Sequence, residues 1–120
     1  MLAKEKRLRD TRDFKRVYTK GSFFGSGLFS MNSLKNRSDF SRLGIVVSKK
    51  TEPKATQRNL LKRRFRSVAA KLYDSLPKGY DIVVSIKPKA KNSEFSQIEK
   101  EIAEAFKKVG SFEKSNNRHN

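Results

Sequence analysis

Apolar residues at Leu61, Phe65, Val68 and Leu72 follow the i, i+4, i+7, i+11 spacing of a helix that turns about 100° per residue and buries one stripe. The helix they predict runs from Lys54 to about Leu76 and is ended by Pro77-Lys78-Gly79. A shorter helix is expected after Asp10 or Thr11, either of which can cap it. Phe14, Val17 and Tyr18 share one of its faces, and Gly21 is placed to stop it. A third helix should start near Ser93 and bury Phe95, Ile98, Ile102, Phe106 and Val109, with Glu94 and Lys107-Lys108 suiting its dipole. The strand candidates lie between these helices. Tyr80 to Ile86 is the clearest. Leu43 to Ser48 is a second β-branched run, in which Gly44 marks a bulge or a close backbone approach. The glycine-broken stretch 22–31 holds two short candidates, Ser22 to Phe24 and Leu28 to Met31. Asn32 to Ser41 reads as a polar loop and Lys49 to Pro53 as a linker. With helices and strands alternating and no internal repeat, the pattern predicts an α+β chain.

Charge changes the meaning of the long helix. From Lys54 to Tyr73 it carries Lys54, Arg58, Lys62, Arg63, Arg64, Arg66 and Lys71 and no acid. A helix that needed only solubility would interleave carboxylates for i,i+4 pairing. Arg58, Lys62 and Arg66 repeat every four residues beside the apolar stripe, and Asn59 and Arg63 continue that polar face. Unbalanced charge on a rigid element calls for an anionic partner, with nucleic acid foremost. A solvated face is the competing reading. The whole chain agrees: 29 Lys and Arg stand against 12 Asp and Glu, a formal +17. If five to eight phosphates are neutralised, log K should fall against log salt by roughly 0.7–0.9 per contact.

At 120 residues the chain has the length of one domain, expected over 1–110, while 111–120 has little to bury and reads as a disordered tail. Hydrophobic content is 35%, so the core is modest. There is no cysteine, which excludes disulfides and thiolate metal sites. The basic N-terminus is not followed by an apolar run, and no stretch approaches the roughly 20 residues of a spanning helix, so a cytoplasmic protein without membrane contact is expected.

Four motifs occur in order: Phe14-x-x-Val17-Tyr18, Val47-Ser48-Lys49-Lys50, Arg58-Asn59-x-x-Lys62-Arg63-x-x-Arg66 and Asp81-Ile82-Val83-Val84. Each alone is weak, but together they resemble the protein component of bacterial ribonuclease P from about Arg7 to the last helix. The resemblance implies a small single-domain sandwich of a short mixed sheet, with the long basic helix in a left-handed β-α-β crossover, like the second domain of a small-subunit ribosomal protein. The usual handedness rule would give the opposite hand. It further implies two RNA surfaces. Arg58, Asn59, Lys62, Arg63 and Arg66 would lie against the catalytic RNA subunit. Phe14, Val17, Tyr18, Lys49 and Lys50 would lie on or beside a cleft for the single-stranded 5′ leader of precursor tRNA. Hydrolysis would belong to magnesium ions held by the RNA, with no catalytic residue, metal site or cofactor on the protein and no DNA partner.

The residue types suit those roles. Arginine forks pair bidentately with phosphate, lysines add point charge, and exposed rings stack on bases of any identity. Leu60 departs from the family pattern, standing where a second arginine is usual; Arg64, about 40° further round the helix, is expected to replace that contact in part. Tyr18 replaces the more usual phenylalanine. On spacing alone Phe14, Val17 and Tyr18 would be core, Lys49 and Lys50 a charged strand end. His119, the single histidine, lies in the tail, and Glu94, Glu101 and Glu104 read as a solvated face. A structural RNA-binding protein, such as a ribosomal protein, fits the composition equally well. A self-sufficient nuclease would need a general base or a carboxylate cluster, and none is legible.

Overall fold

A computed structural model of the chain describes residues 2–110, so the tail expected at 111–120 lies outside the described residues. The sheet grows from β4 (Tyr80–Ile86), whose four successive residues Asp81, Ile82, Val83 and Val84 are all buried because helices cover both of its faces. β2 (Phe29–Lys35) pairs with it antiparallel and β3 (Arg42–Val46) pairs parallel; β1 (Ser22–Gly25) closes the order β1-β2-β4-β3. The parallel neighbours β3 and β4 are joined by α2 (Ala55–Leu72), the long basic helix.

Alternation along the strands assigns the faces. Phe29, Met31, Leu43, Ile45, Ile82, Val84 and Ile86 join Leu61, Phe65, Val68 and Ala69 of α2 and Ile98, Ile102, Ala105 and Phe106 of α3 (Phe95–Lys108) in the main core. Phe29 and Phe65 meet edge to face, 6.0 Å between centroids. On the opposite face a smaller cluster of Leu8, Val17 and Val83, with Phe14, Leu34 and Val46, seats α1 (Thr11–Lys20). The N-terminal segment runs along the edge strand β3: Leu8 N donates to Leu43 O (2.8 Å), and the Lys6 ammonium sits 4.8 Å from the Tyr73 ring centre.

Several expected boundaries move. The stretch 32–35, read as loop, continues β2, because Asn32 and Ser33 are held against Val83 and Ile82 of β4 and become nearly buried. α2 stops at Leu72, giving way to a 3-10 turn over Tyr73–Ser75, and Leu72 is half-buried, not part of the fully covered stripe. Phe95 opens α3 and is 48% exposed, since it lies beyond the end of the core that Ile98 begins. Gly21 does end α1, but not through a left-handed cap: its φ is −80°, and a Cβ there would stand 2.5 Å from Val17 O and 2.7 Å from Ser33 O. Its role is to let the helix end touch β2.

Candidate nucleic-acid interface

The position of α1 is set by a buried carboxylate. Asp81, at the start of β4 and fully buried, accepts from Arg42 Nε (2.9 Å) and Nη2 (2.7 Å), from Asn36 Nδ2 (2.8 Å) and from Arg16 Nη2 of α1 (3.0 Å). Asp13 of α1 adds contacts of 3.4 Å to both arginines. Burial alone would raise the Asp81 pKa, but the Arg42 fork, the Asn36 amide and the two positive charges outweigh it and hold it below the ordinary value. The Asp10 carboxylate caps α1 by accepting from Arg12 N (2.9 Å).

Thus fixed, α1 presents its three candidate residues in three different ways. Phe14 is half-buried, its ring pressed on Gly44, where a Cβ would lie 2.6 Å from two ring carbons. Gly44 therefore marks a close approach and not a bulge. Val17, placed by the resemblance on or beside the cleft and by spacing alone in the core, has no exposed surface; it supports the ledge from beneath and offers nothing to a ligand. Tyr18 is 46% exposed, with its hydroxyl 3.0 Å from Ser85 Oγ on β4, so the ring is tethered at one end and open on a face. Ser85 pairs with Val46 at the end of β3, and the chain then turns on Ser48, whose Oγ accepts from Thr51 N (3.0 Å). Lys49 and Lys50 are exposed in that turn, so the fold brings them to the same end of the sheet as Tyr18.

On the other side, α2 displays Asn59, Arg63, Arg64 and Arg66 to solvent, with Lys62 half-exposed. None of these five side chains has a hydrogen bond or ion pair to the described residues. Arg58 differs. Its Nη1 donates to Glu52 O (3.0 Å) and Pro53 O (2.7 Å), bracing the loop before α2. Lys71 is also committed, to Glu99 of α3 (2.8 Å), so the acid missing from its own helix comes from another. Leu60 is 43% exposed and shares a hollow of about 230 Å³ with Gln57, Arg64 and Lys91.

The two surfaces adjoin at one edge of the sheet. A hollow of about 340 Å³ at the β3 edge is lined by both Phe14 and Arg66, together with Arg7 and Arg9. Arg7 and Arg9 were invisible as site residues in the sequence, where they belong to a short basic N-terminus; only their pairing along β3 brings them here. A further aromatic was missed. Phe23 of β1 is 61% exposed and, by strand pairing, lies on the α1 face of the sheet.

The family model described as ribonuclease P matches residues 2–110. The chain belongs to the ribonuclease P protein family. It is 43% identical over 96 residues to the ribonuclease P protein component of Thermotoga petrophila, covering 80% of each chain. It is 32% identical over 119 residues to that of Synechocystis, covering 98% of this chain and 96% of the relative. Among solved structures, the ribonuclease P protein of Thermotoga maritima superposes with a TM-score of 0.78 at 36% identity, covering 85% of this chain and 96% of that one. The Staphylococcus aureus protein gives 0.74 at 33% identity, covering 87% and 94%. The α+β class with its mixed sheet is thereby that of the family, and the chain is a subunit of the endoribonuclease holoenzyme that processes tRNA 5′ ends, where its partner is RNA.

Within this family member, the Gly44–Phe14 contact makes a sharp prediction. Gly44→Ala should drive the Phe14 ring off the sheet, costing about 1–3 kcal/mol of stability. The holoenzyme should lose about tenfold in its preference for precursor over mature tRNA, with RNA-subunit affinity unchanged. Parallel binding titrations of the three RNAs check it.

Proposed function

We propose that the protein assists ribonuclease P by holding two RNAs and that it carries no active site of its own. Asn59, Lys62, Arg63, Arg64 and Arg66 of α2 bind the catalytic RNA subunit, with Arg58 bracing the helix start and keeping the rest of its guanidinium for phosphate. Phe14 and Tyr18, with Lys49 and Lys50 beside them and Val17 beneath, bind the single-stranded 5′ leader of precursor tRNA. The magnesium ions of the reaction are held by the RNA subunit, and the complex works in the cytoplasm.

The observation that carries this reading is the set of cations on α2 that have no partner among the described residues, set against a ledge of half-open aromatic rings on the opposite face of the same sheet. Phosphate contacts and stacking both tolerate any sequence, as a variable leader requires. The buried acids are already committed. Asp81 is held by Arg42, Arg16 and Asn36; Glu52 is held by Lys54 N and Lys91 Nζ (both 3.0 Å), which lower its pKa. Neither carboxylate is free to act as a general base. Among the described residues, no three His, Cys, Asp or Glu side chains gather into a metal cluster.

Cleavage of a precursor tRNA by the RNA subunit at low magnesium, with and without the protein, tests the proposal. Correctly placed 5′ cleavage should be rescued by the protein, and protein alone should cut nothing. Cleavage by RNA-free protein would overturn it.

A further inference from the structure

We infer that the hollow beside Leu60 receives one unstacked base of the catalytic RNA subunit. The inference rests on the binding of that RNA by α2 proposed above and adds to its phosphate contacts a site that grips a base.

Gln57, Leu60 and Arg64 follow the i, i+3, i+7 spacing, so they form one stripe on the first turns of α2, just outside the buried line of Leu61 and Phe65. Facing them are Lys91 and Asn92 of the 3-10 turn Pro88–Asn92, and Glu52 of the loop before the helix. The space between holds about 230 Å³, below the roughly 300 Å³ at which pockets for drug-sized ligands begin. Its occupant is a single small group, not a duplex or a folded partner.

The walls narrow the occupant further. A lone exposed leucine is ordinary on a protein surface. Leu60, 43% exposed, is instead the apolar side of a hollow rimmed by hydrogen-bonding groups. The carboxamides of Gln57 and Asn92, each able to donate and accept, make no hydrogen bond to any described residue. The one acid is already committed: Glu52 accepts from Lys54 N and pairs with Lys91 Nζ, both at 3.0 Å. That pairing cancels Glu52 against Lys91 and leaves Arg64 as the uncompensated charge of the hollow. An aliphatic flank suits the face of a ring, the amides suit its edge, and the guanidinium suits the phosphate attached to it. A free anion would have no use for the leucine, and a purely apolar ligand would leave the amides and Arg64 idle.

Position selects the RNA. α2 packs in the main core, on the sheet face opposite the cluster that seats α1 with Phe14 and Tyr18. On the side of Leu60 away from that core, the helix continues into Arg63 and Asn59, both exposed and without partners among the described residues. The hollow is therefore continuous with the cationic face, and the base belongs to the strand whose backbone that face holds.

The test uses the full chain and its own RNA subunit. Leu60→Ala should weaken binding about tenfold with an unchanged log–log salt slope, because no phosphate contact is lost, and Leu60→Met should bind as wild type does. Base-specific chemical probing of the bound RNA should find one unpaired base shielded by wild type and exposed again with Leu60→Ala. An abasic residue at that position should cost wild type about tenfold and Leu60→Ala nothing more. Leu60→Arg should exchange the base for a phosphate, leaving the base reactive and steepening the salt slope by roughly 0.7–0.9. Wild-type affinity in Leu60→Ala, a shallower slope in that variant, or no RNA-subunit base whose shielding depends on Leu60 would overturn the inference. Arg63→Gln separates the two levels. If it weakens binding and flattens the slope while Leu60→Ala binds as wild type does, the hollow alone fails; if neither variant weakens binding, the RNA-subunit reading of α2 fails with it.

Discussion

Replacing Asp81 with alanine is expected to destabilise the fold by about 3 kcal/mol or more, the range for removing one partner of a buried ion pair. The carboxylate is fully buried and accepts four hydrogen bonds from three side chains. Arg16, nearly half exposed, can turn to water and Asp13; Arg42, only 27% exposed, loses both arms of its fork. Asparagine should rescue little, because its amide nitrogen would face the donors of Arg42, Arg16 or Asn36. The pH dependence has a definite sign. The folded-state pKa of Asp81 is depressed, so its contribution is full above the unfolded value of about 3.9 and is lost as pH falls from there through the folded value. Urea unfolding across the acid range should show a lower plateau and a shallower acid limb in the variant. A wild-type acid limb in Asp81→Ala would show that the pair contributes nothing. Because Arg16 belongs to α1, the loss should also loosen the ledge that carries Phe14 and Tyr18.

The second large effect belongs to α2. Changing Lys62, Arg63 and Arg66 together to glutamine should weaken RNA-subunit binding about a hundredfold near physiological salt. The log–log salt slope should become shallower by roughly two to three units, one per phosphate lost. Stability should stay within about 0.5 kcal/mol, because these side chains have no partners among the described residues. Single changes sharpen the point. Arg64→Gln should cost far more affinity than Lys71→Gln, since Lys71 is already neutralised by Glu99. Equal losses would remove Arg64 as the stand-in for the arginine that Leu60 replaces. Unchanged salt slopes throughout would contradict phosphate binding by this helix.

How far the sequence reached depended on whether a signal was local. β4 was legible at both ends because its β-branched run Ile82, Val83 and Val84 is covered on two faces, with Gly79 before the strand and Pro88 after it. The stripe Leu61, Phe65, Val68 was legible because one helix face meets one core. β2 was cut short because Asn32 and Ser33 are polar, and only the register against β4 makes them strand. Phe95 and Phe23 show the limit of periodicity: apolar character marks both, and neither spacing nor composition says that the fold leaves them outside. For the site, cation runs were visible as runs, but Arg58 and Lys71 turned out to face the chain's own oxygens. Asp81 stood in a motif, but nothing local announced its role as a buried ion-pair centre, since its partners lie 39, 45 and 65 residues away. Arg7 and Arg9 reach the hollow beside Phe14 only because the N-terminal segment lies along β3.

The central claim is that one small domain holds two RNAs on two surfaces, and a crossed comparison on one holoenzyme tests it most directly. RNA-subunit affinity and the preference for precursor over mature tRNA would be measured for Tyr18→Ala and for the Lys62, Arg63, Arg66 triple variant. Tyr18→Ala should lose about tenfold in precursor preference and keep its RNA-subunit affinity; the triple variant, once saturated with RNA subunit, should do the reverse. Both variants failing in the same measurement, and neither in the other, would contradict the account.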